Sequence, residues 1–139
     1  MPLTFRIIPD MALVYVQYSG QICPHETMQV FEDYVKHPDS RPGQKQLVDL
    51  RHVTKVDFDF PAFLRMQAKK AEVFHVPGFP TLVAYLADSS DTIRIARMAQ
   101  RSWDGISDVI ARMFTEEANA LAFLGLPQTD LHALLARTA

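Results

Sequence analysis

The run Cys23-Pro24-His25-Glu26 is the local pattern that carries the most chemistry in this chain. Pro24 fits the first turn of a helix, so Cys23 falls at a helix start, where free backbone N–H groups and the dipole lower a thiol pKa. His25 would add charge or act as a base. The same residues also describe a half-buried cysteine at a loop end, the commoner role of a lone cysteine. No oxyanion donor or third orienting group is identifiable beside them. A second pattern is a guanidinium stripe, Arg94, Arg97 and Arg101, at i, i+3 and i+7 of one helix. Arginine forks hold phosphate or carboxylate bidentately, and Trp103 nearby would add stacking area. Asp88, Asp91 and Asp104 balance the stripe, so a solvated helix face explains it as well. A third pattern groups Asp49, Asp57 and Asp59 with His52, the residue types of a metal or acid–base cluster. Asp49, however, sits in an apolar strand and Asp59 reads as a helix cap. Paired carboxylates turn catalytic only when geometry drives their pKa values apart.

Little else points to a reaction. The five histidines form no HxH or HxxxH pair, which leaves no zinc-ligand spacing. There is no GxGxxG, P-loop or GxSxG, and five glycines are little material for a phosphate-cradling loop. No cofactor is expected. A net charge of −2 gives no field to attract nucleic acid, although residues 60–103 hold six Lys/Arg against three Asp/Glu. Cys23 is the only cysteine, which excludes an intrachain disulfide and suits a reducing compartment. The N-terminus does not read as a signal peptide and the apolar runs are strand-sized, so the expected location is the cytoplasm with no membrane span.

The elements that would position these residues follow from hydrophobic periodicity. At 139 residues the chain reads as one domain, able to bury about 68–70% of its unfolded surface. Leu3 to Ile8 and Met11 to Tyr18, separated by Pro9-Asp10, predict a hairpin closed by Ser19-Gly20. A helix from Pro24 ends before Pro38, its buried face marked by Met28, Phe31 and Val35. Leu47 to Leu50 is a short buried strand, and residues 51–57 read as a turn. Asp59 and Pro61 open a second helix to about Val76, with Phe60, Phe63, Leu64, Ala68, Ala71 and Phe74 inward and Arg65, Lys69 and Glu72 outward. Thr81 to Ala87 reads as a central strand. A third helix over Ser89–Ser102, capped by Ser90 or Asp91, and a strand over Ser107–Phe114 follow. A fourth helix opens at Thr115-Glu116-Glu117 and closes at Gly125 and Pro127. Asp130 to Arg137 forms a short amphipathic tail on Leu131, Leu134 and Leu135. The order β-β-α-β-α-β-α-β-α predicts an α/β fold, a mixed sheet of about five strands with about four helices packed against it.

Several segments, in order, resemble a known group. Tyr18-Ser19-Gly20, His37 to Gly43, Leu47 to Thr54, and Phe114 to Gly125 look like the bacterial SpoIIAA-like proteins. The resemblance covers about residues 3–127 and implies a SpoIIAA-like domain over 1–127 with a tail over 128–139. That family resembles STAS domains, the fold of anti-anti-sigma factors, and is compared with lipid-binding Sec14-type domains. Signalling STAS domains carry an Asp followed by a phosphorylated Ser at the strand–helix junction. The matching pair is Asp57-Phe58, and Phe58 has no hydroxyl to phosphorylate.

The leading expectation is a non-enzymatic regulatory or protein-interaction module without the serine switch. Its partner surface would be His52, Thr54, Asp57, Phe58 and Asp59 at the junction, Arg65 and Lys69 on the second helix, and Arg94, Arg97 and Arg101. The alternative is a binder or sensor of a small apolar or amphipathic, lipid-like ligand, given the many phenylalanines around the second helix. A thiol enzyme built on Cys23 ranks last. The partner is an unknown protein or a small apolar ligand, and the apolar tail makes a homodimer an expectation as well.

Overall fold

The computed structural model describes residues 3–56, 59–74, 76–106 and 108–136. Five strands form one sheet in sequential order: β1 (Leu3–Ile8), β2 (Leu13–Ile22), β3 (Lys45–Val56), β4 (Thr81–Leu86) and β5 (Val109–Phe114). β1 runs antiparallel to β2, and β2 through β5 run parallel. The turn between β1 and β2 is a 3-10 turn at Pro9–Met11 that ends with Ala12 at φ 50°, so the second strand starts two residues later than its apolar run suggests.

Three helices make the parallel crossovers: α1 (Pro24–Lys36), α2 (Phe60–Phe74) and α3 (Ser90–Ser102). The strands are added in sequence order, so right-handed crossovers put all three helices on one face. The helices α4 (Glu117–Phe123) and α5 (Leu131–Ala136) follow β5 and cover the opposite face. Strand alternation then divides the core. Leu13, Tyr15, Leu47, Ala84 and Leu86 face α4 and α5, whereas Val14, Val16, Val48, Leu50, Val83 and Tyr85 face α1–α3. The tail's apolar edge is covered within the chain: Leu131 and Leu134 are buried in the same cluster as Leu121 and Leu124.

Local chemistry sets the helix ends. Pro24 occupies the first turn of α1, and the extended backbone of His37 ahead of Pro38 stops it. Its buried residues are Thr27, Phe31 and Tyr34, while Val35 is exposed, one position round from the expected stripe. Ser89 rather than Ser90 or Asp91 caps α3, in a reciprocal box with Thr92.

Two elements differ from expectation. Residues 51–56 continue β3 instead of turning. Pairing with β2 advances from Gln17–Asp49 to Ser19–His52 and from Gly20–Val53 to Gln21–Lys55, so β3 carries an extra residue at two places. These bulges space the inward residues Leu50, Val53 and Val56 by three, which masks a strand in the sequence. Because β3 pairs with β4 only from Gln46 to Asp49, the ends of β2 and β3 extend past β4 as a two-stranded arm. The second difference is α2, whose orientation is rotated from the predicted one. Phe60, Leu64 and Ala68 point to solvent, and Phe63, Met66, Gln67, Lys70, Ala71 and Phe74 point inward.

Candidate functional site

The main backbone neighbour of α2 is α1, and the helix stands off the sheet. The space beneath it is a cavity of about 130 Å³, walled by β2–β4, the β2–β3 arm and all three helices. Its wall is dominated by Val14, Val16, Val48, Leu50, Val83, Phe63, Met66, Phe74 and Ile95. The few polar side chains along it are mostly engaged. Trp103 Nε1 donates to the Tyr85 hydroxyl at 2.9 Å, and Gln67 Nε2 donates to Ser102 Oγ at 2.8 Å. The Tyr34 hydroxyl donates to Gln44 Oε1 at 2.6 Å, and Thr27 Oγ1 donates to the Cys23 carbonyl at 3.0 Å. Burial holds the Tyr18 hydroxyl up at about 12 and raises those of Tyr34 and Tyr85.

Lys70 is the exception. Its residue is half-buried, its side chain runs along the cavity wall, and burial alone lowers its pKa from 10.5 to about 8. No carboxylate among the described residues offsets its charge. Asp59 is the one acidic residue of the wall among the described residues, and its Oδ1 accepts from Ala62 N at 3.0 Å, capping α2 as the sequence predicts.

The opposite face holds a fully engaged polar cluster. Asp49 is buried, and its carboxylate accepts from the Tyr15 hydroxyl at 2.8 Å and from Arg51 Nε and Nη2 at 2.9 and 3.0 Å. Arg51 Nη1 reaches Glu117 Oε2 at 2.6 Å, and Glu117 Oε1 accepts from Leu131 N at 2.8 Å. Burial pushes the Asp49 carboxyl up, but the hydrogen bonds from Arg51 and Tyr15 outweigh it and the net shift is downward. The Asp49 bond raises the Arg51 pKa against burial, with Glu117 adding to it. With every partner satisfied, this network ties β2, β3, α4 and α5 together and leaves no free acid or base.

The residues singled out from sequence lie apart. His52 and Thr54 are exposed on the β3 arm, Arg65 and Lys69 on the outer side of α2, and Arg94, Arg97 and Arg101 on α3. Asp57 and Phe58 lie outside the described residues. Of the described members of the set only Asp59 reaches the cavity. Arg94 meets Asp91 at 3.4 Å on the surface, a pair worth about 0–1 kcal/mol. Trp103 is buried against Tyr85, so it offers no stacking face beside the arginines. Cys23 does sit at the N-cap of α1, where its side chain makes no capping bond. Asp49 and Asp59 serve the separate roles described above. Among the described residues no group of three or more His, Cys, Asp or Glu side chains could hold a metal ion. No helix there is long and apolar enough to cross a membrane. Lys70, Tyr18 and Tyr85 on one face, and Tyr15, Arg51 and Glu117 on the other, are the residues that sequence reasoning passed over. The signal for the second set was available, because Asp49 and Arg51 stand two apart in a strand and so share a face.

The sheet order and helix placement have a counterpart among solved structures. A crystal structure of an uncharacterised protein from the DUF3478 family with a SpoIIAA-like fold, from Shewanella loihica PV-4, superposes with a TM-score of 0.58, covering 88% of this chain and 91% of that one. The present chain has a SpoIIAA-like fold. At 15% sequence identity the likeness extends to architecture alone. No family model matches the sequence, and no curated protein is similar to it at a significant level. Within this SpoIIAA-like architecture the cavity under α2 is the feature best built to receive something. Its apolar wall offers burial to an apolar group.

Proposed function

We propose that this SpoIIAA-like chain is a non-enzymatic binding or sensing module for a small apolar or amphipathic ligand, held between α2 and the sheet. The carrying observation is the cavity itself, about 130 Å³ of space with an apolar wall under a helix that stands off the sheet. Well-packed interiors leave few voids larger than a water molecule. An apolar cavity of about 150 Å³ is enough to stay dry and to bind benzene. Because α2 forms one wall and carries an exposed outer face, a ligand seated below it would be reported at the surface.

Trp103, the only tryptophan, lines the cavity and provides the test. Bromobenzene, a heavy-atom quencher of suitable size, should quench its fluorescence along a saturable curve. Quenching that stays linear in bromobenzene, as for random collisions, would remove the reading. Native mass spectrometry of freshly purified protein gives a second check, since a resident ligand appears as an extra mass that is lost on denaturation.

A second reading, a regulatory interaction surface, draws on the outer face of α2. Phe60 and Leu64 are 48% and 49% exposed there, beside exposed Arg65 and Lys69. An apolar pair next to two cations suits an acidic amphipathic partner. Sedimentation velocity of wild type and of Leu64→Asp would show whether a second copy of the chain occupies that face.

A further inference from the structure

We infer that the cavity ligand is a monocarboxylate with an apolar body about the size of a benzene ring, its carboxylate paired with Lys70 Nζ. This rests on the reading of the cavity as a binding site and adds the chemistry of the ligand's head group. The first support is the inventory of wall charges. Among the described residues Lys70 and Asp59 are the only charged ones lining the cavity, and Asp59 is committed to the start of α2 through Ala62 N. Lys70 therefore presents a positive charge to an apolar space with no charged partner among the described residues. A cation in such surroundings is costly until an anion joins it. The second support is the engagement of the neighbouring polar groups. Gln67 donates to Ser102 and Tyr85 accepts from Trp103, and both are neutral, so neither balances the charge of the ammonium.

Size and charge narrow the class further. The space of about 130 Å³ matches one small ring or a short acyl chain. A single ammonium balances a single negative charge. A phosphate dianion would leave charge uncompensated, because no arginine fork lines this wall. Burial lowers the Lys70 pKa in the absence of a partner, and a bound carboxylate would raise it again, so binding above neutral pH should take up a proton.

The test compares phenylacetate with its neutral isostere phenylacetamide by isothermal titration calorimetry at neutral pH. Wild type should bind phenylacetate at least about tenfold more tightly. Lys70→Met should abolish that preference, lowering phenylacetate affinity far more than phenylacetamide affinity. This variant removes an uncompensated charge and should fold at least as well as wild type, and Lys70→Gln provides a second neutral replacement if it does not. Equal affinities for the two compounds in wild type would overturn the head-group inference and leave the cavity reading standing. So would a phenylacetate affinity indifferent to the loss of Lys70. If neither compound binds and bromobenzene quenching is also unsaturable, the cavity reading itself falls.

Discussion

Glu117 joins Arg51 at 2.6 Å through one carboxylate oxygen and accepts the backbone N–H of Leu131 at 2.8 Å through the other. One side chain therefore links the central strand β3 to the first residue of the C-terminal helix α5. Apolar burial of Leu131 and Leu134 supplies most of the attraction of α5 for the domain, and the Glu117 bond fixes where it starts.

Removing that link should loosen α5 and little else. Glu117→Ala leaves Arg51 paired with Asp49, so the expected loss of stability is about 1–3 kcal/mol, the usual range for an unpaired buried partner. Hydrogen exchange of residues 131–136 should accelerate while exchange in β3 stays unchanged. If both segments accelerate together, α5 is not a separately held element and the latch does not exist.

Asp49 should govern the acid limb of the stability curve. Its folded pKa lies below the ordinary carboxylate value, so the unfolded chain binds the proton first as pH falls. The stabilisation is complete above about pH 4 and is lost as pH drops through the folded value. Asp49→Asn should flatten this limb when urea midpoints are compared between about pH 5 and pH 3. At neutral pH the same change leaves Arg51 with Glu117 alone and weakens the bonds from Arg51 and Tyr15, a loss of about 1–3 kcal/mol. A midpoint at neutral pH equal to that of wild type would show the network to be energetically idle.

Lys70 should add a second rising limb at alkaline pH. Its folded pKa of about 8 lies below the ordinary 10.5, so between those values the unfolded chain holds a proton that the folded chain has released. Stability therefore rises with pH across that window. The groups facing the same cavity act elsewhere on the scale. Asp59 is a helix cap, and the raised hydroxyls of Tyr18, Tyr34 and Tyr85 withdraw stability only above about pH 10. A pH titration of the Lys70 side-chain carbon resonances should show a midpoint near 8, and Lys70→Met should eliminate the rise in stability. A midpoint at the ordinary value would place the ammonium in bulk water and contradict the cavity assignment.

How much of this was legible in the sequence depends on which element is considered. The α/β class and the sheet with its crossover helices follow from apolar runs and proline positions, and the SpoIIAA-like architecture was implied by the resemblance of ordered segments between Tyr18 and Gly125. The inner face of α2 was misread for a physical reason. Phe63, Ala71 and Phe74 point inward as periodicity predicts, but Phe60, Leu64 and Ala68, assigned to the same face, point to solvent. The inner face covers a cavity and so tolerates Gln67 and Lys70, which hides its position in the sequence. The end of β3 was misread because bulges replace the period of two by steps of three. Both misreadings fall on the walls of the candidate site, which is where local rules and tertiary demands part company.

The second bulge makes its own prediction through Gly20. This residue pairs with Val53 just before the register shift and has φ +68°, a conformation that costs residues with a Cβ about 1–2 kcal/mol. A Cβ added there meets nothing within 4 Å, so Gly20→Ala isolates backbone strain from steric clash. Urea denaturation should show a loss of about 1–2 kcal/mol for Gly20→Ala and a smaller one for Gly20→Asn, since asparagine visits the left-handed region more readily. The arm contributes Ile22 and Val56 to the cavity wall, so bromobenzene affinity should fall in the same order as stability. If Gly20→Ala is neutral in both measurements, the arm relaxes into a regular ladder, and the wall it provides is not rigid enough to shape a ligand.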